Sequence, residues 1–329
     1  MPPADPSFVC PSCKGPLNSL PGGFSCSSCE REYPIVCGIP DFRLAPDPYI
    51  GIDEDRAKGE LLFQAGKNRT FEELLRHYYA ITKEDPPDLA IKWIAHALAE
   101  VSIAEFVLRQ AELQPVHGAL LDLGCSTGAL LIAARGMADT LVGVDVAFRW
   151  LVLGAARLRE AGVDAKLICA NAEYLPFPDA TFAAVTATDL IEHVRNAQQA
   201  VSETFRVAAP GARTLWTTNN RYAPLPDPHV GLWGIGYLPR RWQAAYVARR
   251  RSDLHRYRIG MKSGWELHRL FRAAGFRRPV IEAAPLFAPH RPNGSLQMFL
   301  RAYNRIRKAP LIGALSRLAG PRLWTLADR

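Results

Sequence analysis

The sequence predicts an α/β chain: a doubly wound parallel sheet, preceded by a small cysteine-rich unit and a helical linker. Three observations carry this. Short apolar strands alternate with helix-spaced segments between residues 119 and 218. Two C-x2-C pairs lie within the first 29 residues. Between them, residues 47 to 114 repeat apolar side chains at helical spacing. A length of 329 residues suits one large or two modest domains. The hydrophobic fraction of 48% and charged fraction of 22% exclude a disordered, collagen-like or coiled-coil chain. The net charge of +8 is unevenly placed: residues 211–329 hold 22 Lys+Arg against 5 Asp+Glu, while the rest of the chain is acidic.

The opening Met1-Pro2-Pro3 lacks the basic and apolar regions of a signal peptide, and no apolar run approaches the roughly 20 residues of a membrane span. A cytoplasmic location, with peripheral membrane contact as an extension, is the expectation. Clustered cysteines fit a reducing compartment better than a secreted disulfide scaffold.

Residues 1–45 read as a zinc ribbon. Cys10-Pro11-Ser12-Cys13 and Cys26-Ser27-Ser28-Cys29 are separated by 12 residues, and each pair offers two thiolates from one tight turn to a tetrahedral structural zinc. Cys37 reads as a buried apolar residue, not a ligand. The stretch Cys10–Arg43, with C-P-x-C-K-G-P-L, F-x-C-x-x-C-x-R-x-Y-P-I and G-I-P-D-F-R, resembles a ribbon family. That family includes activator subunits of methyltransferases and ribbons fused in front of methyltransferase chains. The resemblance implies folding and docking, not catalysis.

Residues 46–115 read as a helical linker or lid. Phe71, Leu74, Leu75, Tyr78 and Tyr79 repeat at helix spacing, Glu84 to Asp88 break the pattern, and Ala90–Leu113 resumes it. As a lid, it would line a cleft with Tyr78, Tyr79, Trp93 and His96; as packing, it would only cover a sheet face.

Residues 116–329 read as the catalytic-type domain. Strand Ala119–Asp122 runs into Leu123-Gly124-Cys125-Ser126-Thr127-Gly128 and a helix from Ala129 to Arg135. Small residues let a ligand approach the backbone, beside the free amides of a helix start. Strand Thr140–Val144 ends in Asp145, placed to hold ribose hydroxyls. Strands Lys166–Cys169, Phe182–Thr188 and, after a Pro210-Gly211 turn, Arg213–Thr218 follow. The turn is D-x-G-x-S-x-G, not the dinucleotide fingerprint. An acid there would repel a pyrophosphate and suit a cationic amino-acid head group, which argues against NAD and for S-adenosylmethionine.

Asp122 to Gly128, Gly143-Val144-Asp145, Asn171-Ala172-Glu173-x-Leu175-Pro176-Phe177 and Arg206-Val207-x-x-Pro210-Gly211 are similar, in order, to motifs of class I S-adenosylmethionine-dependent methyltransferases. They are most similar to the ubiquinone and menaquinone branch. The resemblance implies a Rossmann-like methyltransferase sheet. It implies that Asp122, Gly124, Cys125, Ser126 and Gly128 line the methionine side, and that Asp145 and Val146 hold the ribose. Asn171, Ala172 and Glu173 would flank the adenine, and Asp189, Leu190 and on to His193 would close the pocket. Two departures are Ser126, where the family often has glycine, and Asn171, where it often has Asp.

An insertion at 219–263, rich in Pro, Gly and aromatics, follows the fifth strand and would build an acceptor pocket. His193 and His229 are candidate general bases. A helix over Gly264–Gly275, packed through Trp265, Leu267, Leu270 and Phe271, leads to a strand near Pro279–Ala283. Residues 295–318 form a basic amphipathic segment split by Pro310, and Leu323–Ala327 would be a last, antiparallel strand. The basic segment fits a helix covering the sheet with a solvated basic face, or one lying on an anionic membrane. The leading expectation is methyl transfer to a small hydrophobic or anionic acceptor, lipid-linked or of specialised metabolism. An RNA base methyltransferase and a non-catalytic scaffold are the alternatives.

Overall fold

The structure is a computed structural model that describes residues 7–82, 87–251, 257–287 and 294–329. The first six residues and the predicted break at Glu84–Pro86 lie outside them. Four short strands, β1 (Leu17–Leu20), β2 (Gly23–Cys26), β3 (Glu32–Val36) and β4 (Ile39–Pro40), form an antiparallel meander. Helices α1 (Ile52–Ala65), α2 (Phe71–Ile81) and α3 (Pro87–Ala111) follow. Thr70 and Glu73 form a capping box that starts α2.

The main sheet then begins. β5 (Ala119–Leu123), α4 (Ala129–Ala133), β6 (Thr140–Asp145), α5 (Phe148–Ala161), β7 (Lys166–Cys169), β8 (Phe182–Thr188), α6 (Ala197–Val207) and β9 (Ala208–Asn219) alternate. They are followed by α7 (Arg240–Arg250), α8 (Gly264–Ala274), β10 (Arg277–Ala283), α9 (Gly294–Ile306), α10 (Pro310–Ala319) and β11 (Arg322–Asp328). The seven strands lie in the order β10-β11-β9-β8-β5-β6-β7. Strands β5 to β9 pair in parallel, and β11 runs antiparallel between β9 and β10. Strand order reverses between β5 and its two neighbours, so a cleft opens beyond their carboxyl ends.

Three expectations change here. Pro210-Gly211 is not a turn before the fifth strand. It is a bulge inside β9, where Ala208 pairs with Phe182 and Arg213 with Ala184. Trp265 does not pack inward with Leu267 and Phe271; it is exposed, with the Arg269 guanidinium over its ring at 4.8 Å. Cys37 is only half-buried, at a positive φ of 50° beside the β3–β4 turn.

Each sheet face carries its own core. One is built with α1 to α5, through residues such as Leu62, Leu74, Phe148 and Leu151. The other joins α6 and α8 to the N-terminal ribbon, through Phe42, Phe177, Val201 and Phe271. Gly59 lets α1 lie close to α5, since a Cβ there would sit 2.4 Å from the Phe148 ring.

The ribbon is docked on its own chain. The Phe42 amide donates to the Cys169 carbonyl at 2.7 Å, and Asp41 bridges Cys169 in parallel. This covers the edge of the main sheet at β7, which would otherwise expose unpaired backbone groups. The Val9 amide donates to the Pro176 carbonyl at 3.0 Å, and Lys14 pairs with buried Glu203 at 2.7 Å.

Behind the ribbon runs a buried ion network. Arg43 meets Asp41 and Asp55, each at 2.7 Å; Arg149 meets Asp55 at 2.8 Å and Asp47 at 3.0 Å; Arg56 meets Asp41 at 2.8 Å. Three guanidinium groups thus balance three carboxylates. Asp55 also accepts the Phe148 amide at 2.7 Å, so a residue of α1 satisfies the exposed amide end of α5.

Candidate functional site

A cavity of about 410 Å³ lies beyond the carboxyl ends of β5, β6 and β8. That volume is in the range of a buried metabolite or cofactor. Of the residues expected at the cofactor, Asp122, Gly124, Cys125, Ser126, Asp145, Val146, Asn171, Ala172, Glu173, Asp189 and Leu190 all line it. Gly128 stands outside the lining. It opens α4 at a φ of 73°, and a Cβ there would press on Leu158 at 3.3 Å, so backbone and packing both suit glycine at this position.

The turn after β5 is shaped by backbone constraint. Gly124 has a φ of 77°, and a Cβ would meet Leu190 at 3.0 Å. Ser126 also takes a left-handed φ, 47°, which explains why glycine suits this position. The Ser126 amide donates to Asp145 Oδ2 at 2.9 Å, and the Ala147 amide to Asp145 Oδ1 at 2.8 Å. Asp145 is therefore fixed at the strand end by two backbone donors.

Two acids share the cavity floor. Asp122 is only 2% exposed and accepts a bond from Thr186 Oγ1 at 2.9 Å. Burial, with repulsion from Asp145 and Glu100, pushes it up to about 7. Burial likewise pushes Asp145 up to about 6, against the two backbone donors. Carboxylates held this way are poised to receive a positive charge.

Three assignments shift on the geometry. Asn171 lines the cavity, but its carbonyl oxygen is already engaged. Its Oδ1 accepts the amides of Leu44 and Ala45 at 2.9 and 3.1 Å, and its Nδ2 donates to the Ala45 carbonyl at 3.0 Å. Both carbonyl lone pairs are used to hold the ribbon's exit against the cavity, so Asn171 is not free to accept from an adenine amino group. Glu173 accepts the amides of Arg195 and Asn196 at 2.8 and 3.2 Å and fixes the loop before α6. Asp189 is held by Arg322 through both oxygens, at 2.6 and 2.7 Å.

Residues that sequence reasoning missed complete the wall. Asp47 and Arg149, of the ion network, line the cavity, as do Pro46 and Arg322. From α3 come Glu100, Ile103, Ala104 and Val107. Of the four side chains expected to line a cleft from this segment, His96 also lines the cavity, whereas Tyr78, Tyr79 and Trp93 do not. Those rings pack on one another and, for the tyrosines, on Trp150, with centroids 4.8 to 6.3 Å apart.

His193 lines the cavity, and His229 stands behind it with ring centroids 5.0 Å apart. His229 Nδ1 lies 2.9 Å from Asp227 Oδ1, and Tyr257 donates to Asp227 Oδ2 at 2.7 Å. Burial lowers the His193 pKa, against the pull of Glu192. Burial also disfavours charge on His229, but the Asp227 hydrogen bond and carboxylate outweigh it and raise its pKa. Glu192 completes a cluster whose ligand atoms lie within 4.8 Å of one another, although its oxygens already accept from Thr218 and Asn219. The site therefore pairs a cation-receiving floor with an oriented imidazole.

At the ribbon, the thiols of Cys10, Cys13, Cys26 and Cys29 lie within 4.8 Å of one another, with Cys10–Cys29 at 3.6 Å and Cys13–Cys26 at 3.5 Å. Four sulfurs bonded at ~2.3 Å to one tetrahedral zinc sit ~3.8 Å apart, so the set fits that ion.

Residues 121–215 match the family model described as a methyltransferase domain. A demethylmenaquinone methyltransferase from Thermus thermophilus is 32% identical over 120 residues, 36% of this chain and 52% of that one. A ubiquinone/menaquinone biosynthesis C-methyltransferase from Bartonella henselae is 33% identical over 150 residues, 44% of this chain and 56% of that one. The match spans about half the length of these relatives. Among solved structures, a Mesorhizobium loti S-adenosylmethionine-dependent methyltransferase aligns at a TM-score of 0.46 and 19% identity, covering 69% of this chain and 98% of that one. A Haemonchus contortus phosphoethanolamine N-methyltransferase in complex with S-adenosyl-L-methionine aligns at 0.46 and 14% identity, covering 69% and 52%.

Proposed function

We propose that this chain transfers the methyl group of S-adenosylmethionine to a small hydrophobic acceptor, a hydroxylated aromatic ring of the quinol type. The observation that carries the cofactor is the pair of acids, buried Asp122 and half-buried Asp145, on either side of the Gly124 turn in one cavity. Asp122 would receive the positive amino-acid end and Asp145 the ribose, with Ala172 and Leu190 beside the base. When bound, the cofactor supplies an electrophilic methyl group on a sulfonium. The relatives, a demethylmenaquinone methyltransferase and a ubiquinone/menaquinone biosynthesis C-methyltransferase, support the acceptor class. The apolar side chains of α3 at the cavity, Ile103, Ala104 and Val107, suit a hydrophobic ring.

The chain's own contribution at the acceptor is proton removal. Alkylation of a ring carbon or oxygen is faster once the acceptor hydroxyl is deprotonated, and a neutral imidazole at the cavity can take that proton. His193 faces the cavity, and His229 is the more basic partner behind it. Asp227 fixes the His229 tautomer through Nδ1, leaving Nε2 to accept. We infer also that Cys10, Cys13, Cys26 and Cys29 hold one structural zinc.

Calorimetric titration with S-adenosylmethionine tests the cofactor assignment. Saturable binding at one site per chain is expected, and absence of binding would sink the reading. The pH dependence has a worked sign. Asp122 ionises only near 7 in the free protein, and a cationic ligand requires the ionised form. Affinity should therefore fall roughly tenfold on acidifying from about pH 8 to about pH 6. Asp122→Asn should cost about 10- to 100-fold in affinity and flatten that slope. The same substitution should stabilise the free protein at neutral pH. The folded pKa of Asp122 is raised, so the folded state holds this proton more tightly than the unfolded chain. Stability is lost as pH rises toward 7, and a neutral amide escapes that loss. Thermal unfolding of both proteins at two pH values checks it.

A further inference from the structure

We propose that α9 and α10 form a docking face for an anionic membrane surface. This does not rest on the acceptor proposed above. Neither helix has a buried residue among those described, although both are amphipathic. A helix that only covered the sheet would turn its apolar side inward, whereas here much of the apolar side is exposed.

The inward side of α9 carries Leu300, Tyr303 and Asn304, each half-buried, and Arg307 follows just past the helix end. Asn304 donates to the Leu286 carbonyl and accepts its amide, both at 2.9 Å. Arg307 is buried, donates to the Ala283 carbonyl at 2.6 Å, and lies over the Trp324 ring at 4.7 Å. These contacts fix the rotation of the helix about its axis. With the polar anchors inward, Met298 is left 70% exposed and Phe299 58% exposed, with Ile306 two turns on. Arg301 and Arg305 are exposed four residues apart on α9, which sets basic charge beside the apolar side chains, and exposed Lys308 follows in the turn after the helix. On α10, Leu311, Leu315 and Leu318 repeat at i, i+4 and i+7 and are 83%, 65% and 62% exposed. A row of leucines held in water at this level is an interaction surface.

Charge selects the occupant. The last 119 residues hold 22 Lys+Arg against 5 Asp+Glu. Apolar side chains flanked by basic charge match the acyl boundary and headgroups of an anionic leaflet. A second copy of this chain is disfavoured, because a symmetric contact would bring like charges together. No helix among the described residues is long and apolar enough to cross a membrane, so the contact is with the surface.

The full chain is floated with phosphatidylcholine vesicles, with and without a one-third share of phosphatidylglycerol. Wild-type protein should float with the anionic vesicles and stay behind with the neutral ones, and added salt should weaken the association. L311S/L315S should reduce the bound fraction about tenfold or more, since each buried leucine is worth more than a factor of ten at full burial. R301E/R305E/K308E should remove the preference for anionic lipid, because each basic contact contributes about fivefold. Both variants should keep the wild-type thermal transition and cofactor affinity. If one fails to fold, the other still decides. Failure of the wild type to float overturns the proposal, as does unchanged flotation of L311S/L315S. A concentration-dependent dimer in sedimentation that L311S/L315S dissolves, or wild-type RNA binding that the charge variant abolishes with no flotation, also overturns it.

Discussion

His229→Ala is expected to lower kcat for methyl transfer by about a hundredfold to ten-thousandfold, while leaving the affinity for S-adenosylmethionine within about twofold. The reason lies in the layering of the site. His193 borders the cavity, whereas His229 sits behind it and owes its raised pKa to Asp227. Removing the imidazole takes away a proton acceptor but none of the groups proposed for the cofactor. Asp227→Asn separates a chemical from a structural role. The amide can keep a hydrogen bond to the ring but not the charge. Its loss should lower the His229 pKa, so the acidic limb of the kcat profile should move to lower pH. A base must be unprotonated to act, and a less basic imidazole loses its proton at lower pH. The plateau rate should fall with it, since the weaker base accepts the proton less readily. Asp227 is in this sense a positioning residue. If His229→Ala and His193→Ala both retain wild-type kcat, the acceptor is nucleophilic without deprotonation and in-line placement suffices.

The core strands were legible because each is an apolar run closed by a turn or an acid. Their bounds came out within a residue or two for β5 to β8. The same holds for α8, where Ser263 and Glu266 form a capping box, and for α10, where Pro310 sits in the first turn. Most of the residues expected on the cofactor side line the cavity, since they follow strand ends in order. What could not be read were the partners. Asp189 and Arg322 meet across 133 residues, and Asn171 and Leu44 across 127. Nothing in local spacing reports such pairings, and Asn171 was assigned to a ligand when its amide serves the backbone. Likewise, periodicity shows that α9 and α10 are amphipathic but not which side faces the protein. In α9 the inward side holds Leu300 and Tyr303 together with two polar anchors, Asn304 and Arg307, which the pattern alone counts as part of the wet face.

With Cys10, Cys13, Cys26 and Cys29 holding zinc as proposed, stripping the metal is expected to disable the cofactor site as well as the ribbon. A four-cysteine unit of about 35 residues cannot bury enough apolar surface to fold without its metal. Here the unfolded ribbon would uncover the β7 edge and release the Leu44–Ala45 contacts of Asn171. It would also withdraw Arg43 from between Asp41 and Asp55, and Asp55 holds both Arg149 and the start of α5. Arg149 and Asp47 line the cavity, so the damage reaches the ligand without any ligating residue being touched. Cys13→Ser, at the exposed thiol of the four, should lower zinc content below one per chain, lower the thermal midpoint and weaken S-adenosylmethionine binding together. Arg43→Ala isolates the second half of this argument. It keeps the four cysteines but leaves two carboxylates buried without their shared cation, at a cost of about 3–5 kcal/mol. The expected outcome is a fully zinc-loaded protein with a lowered thermal midpoint and weakened cofactor binding. A zinc-loaded Arg43→Ala protein with wild-type stability and affinity would show that the ribbon and the cofactor site are energetically independent.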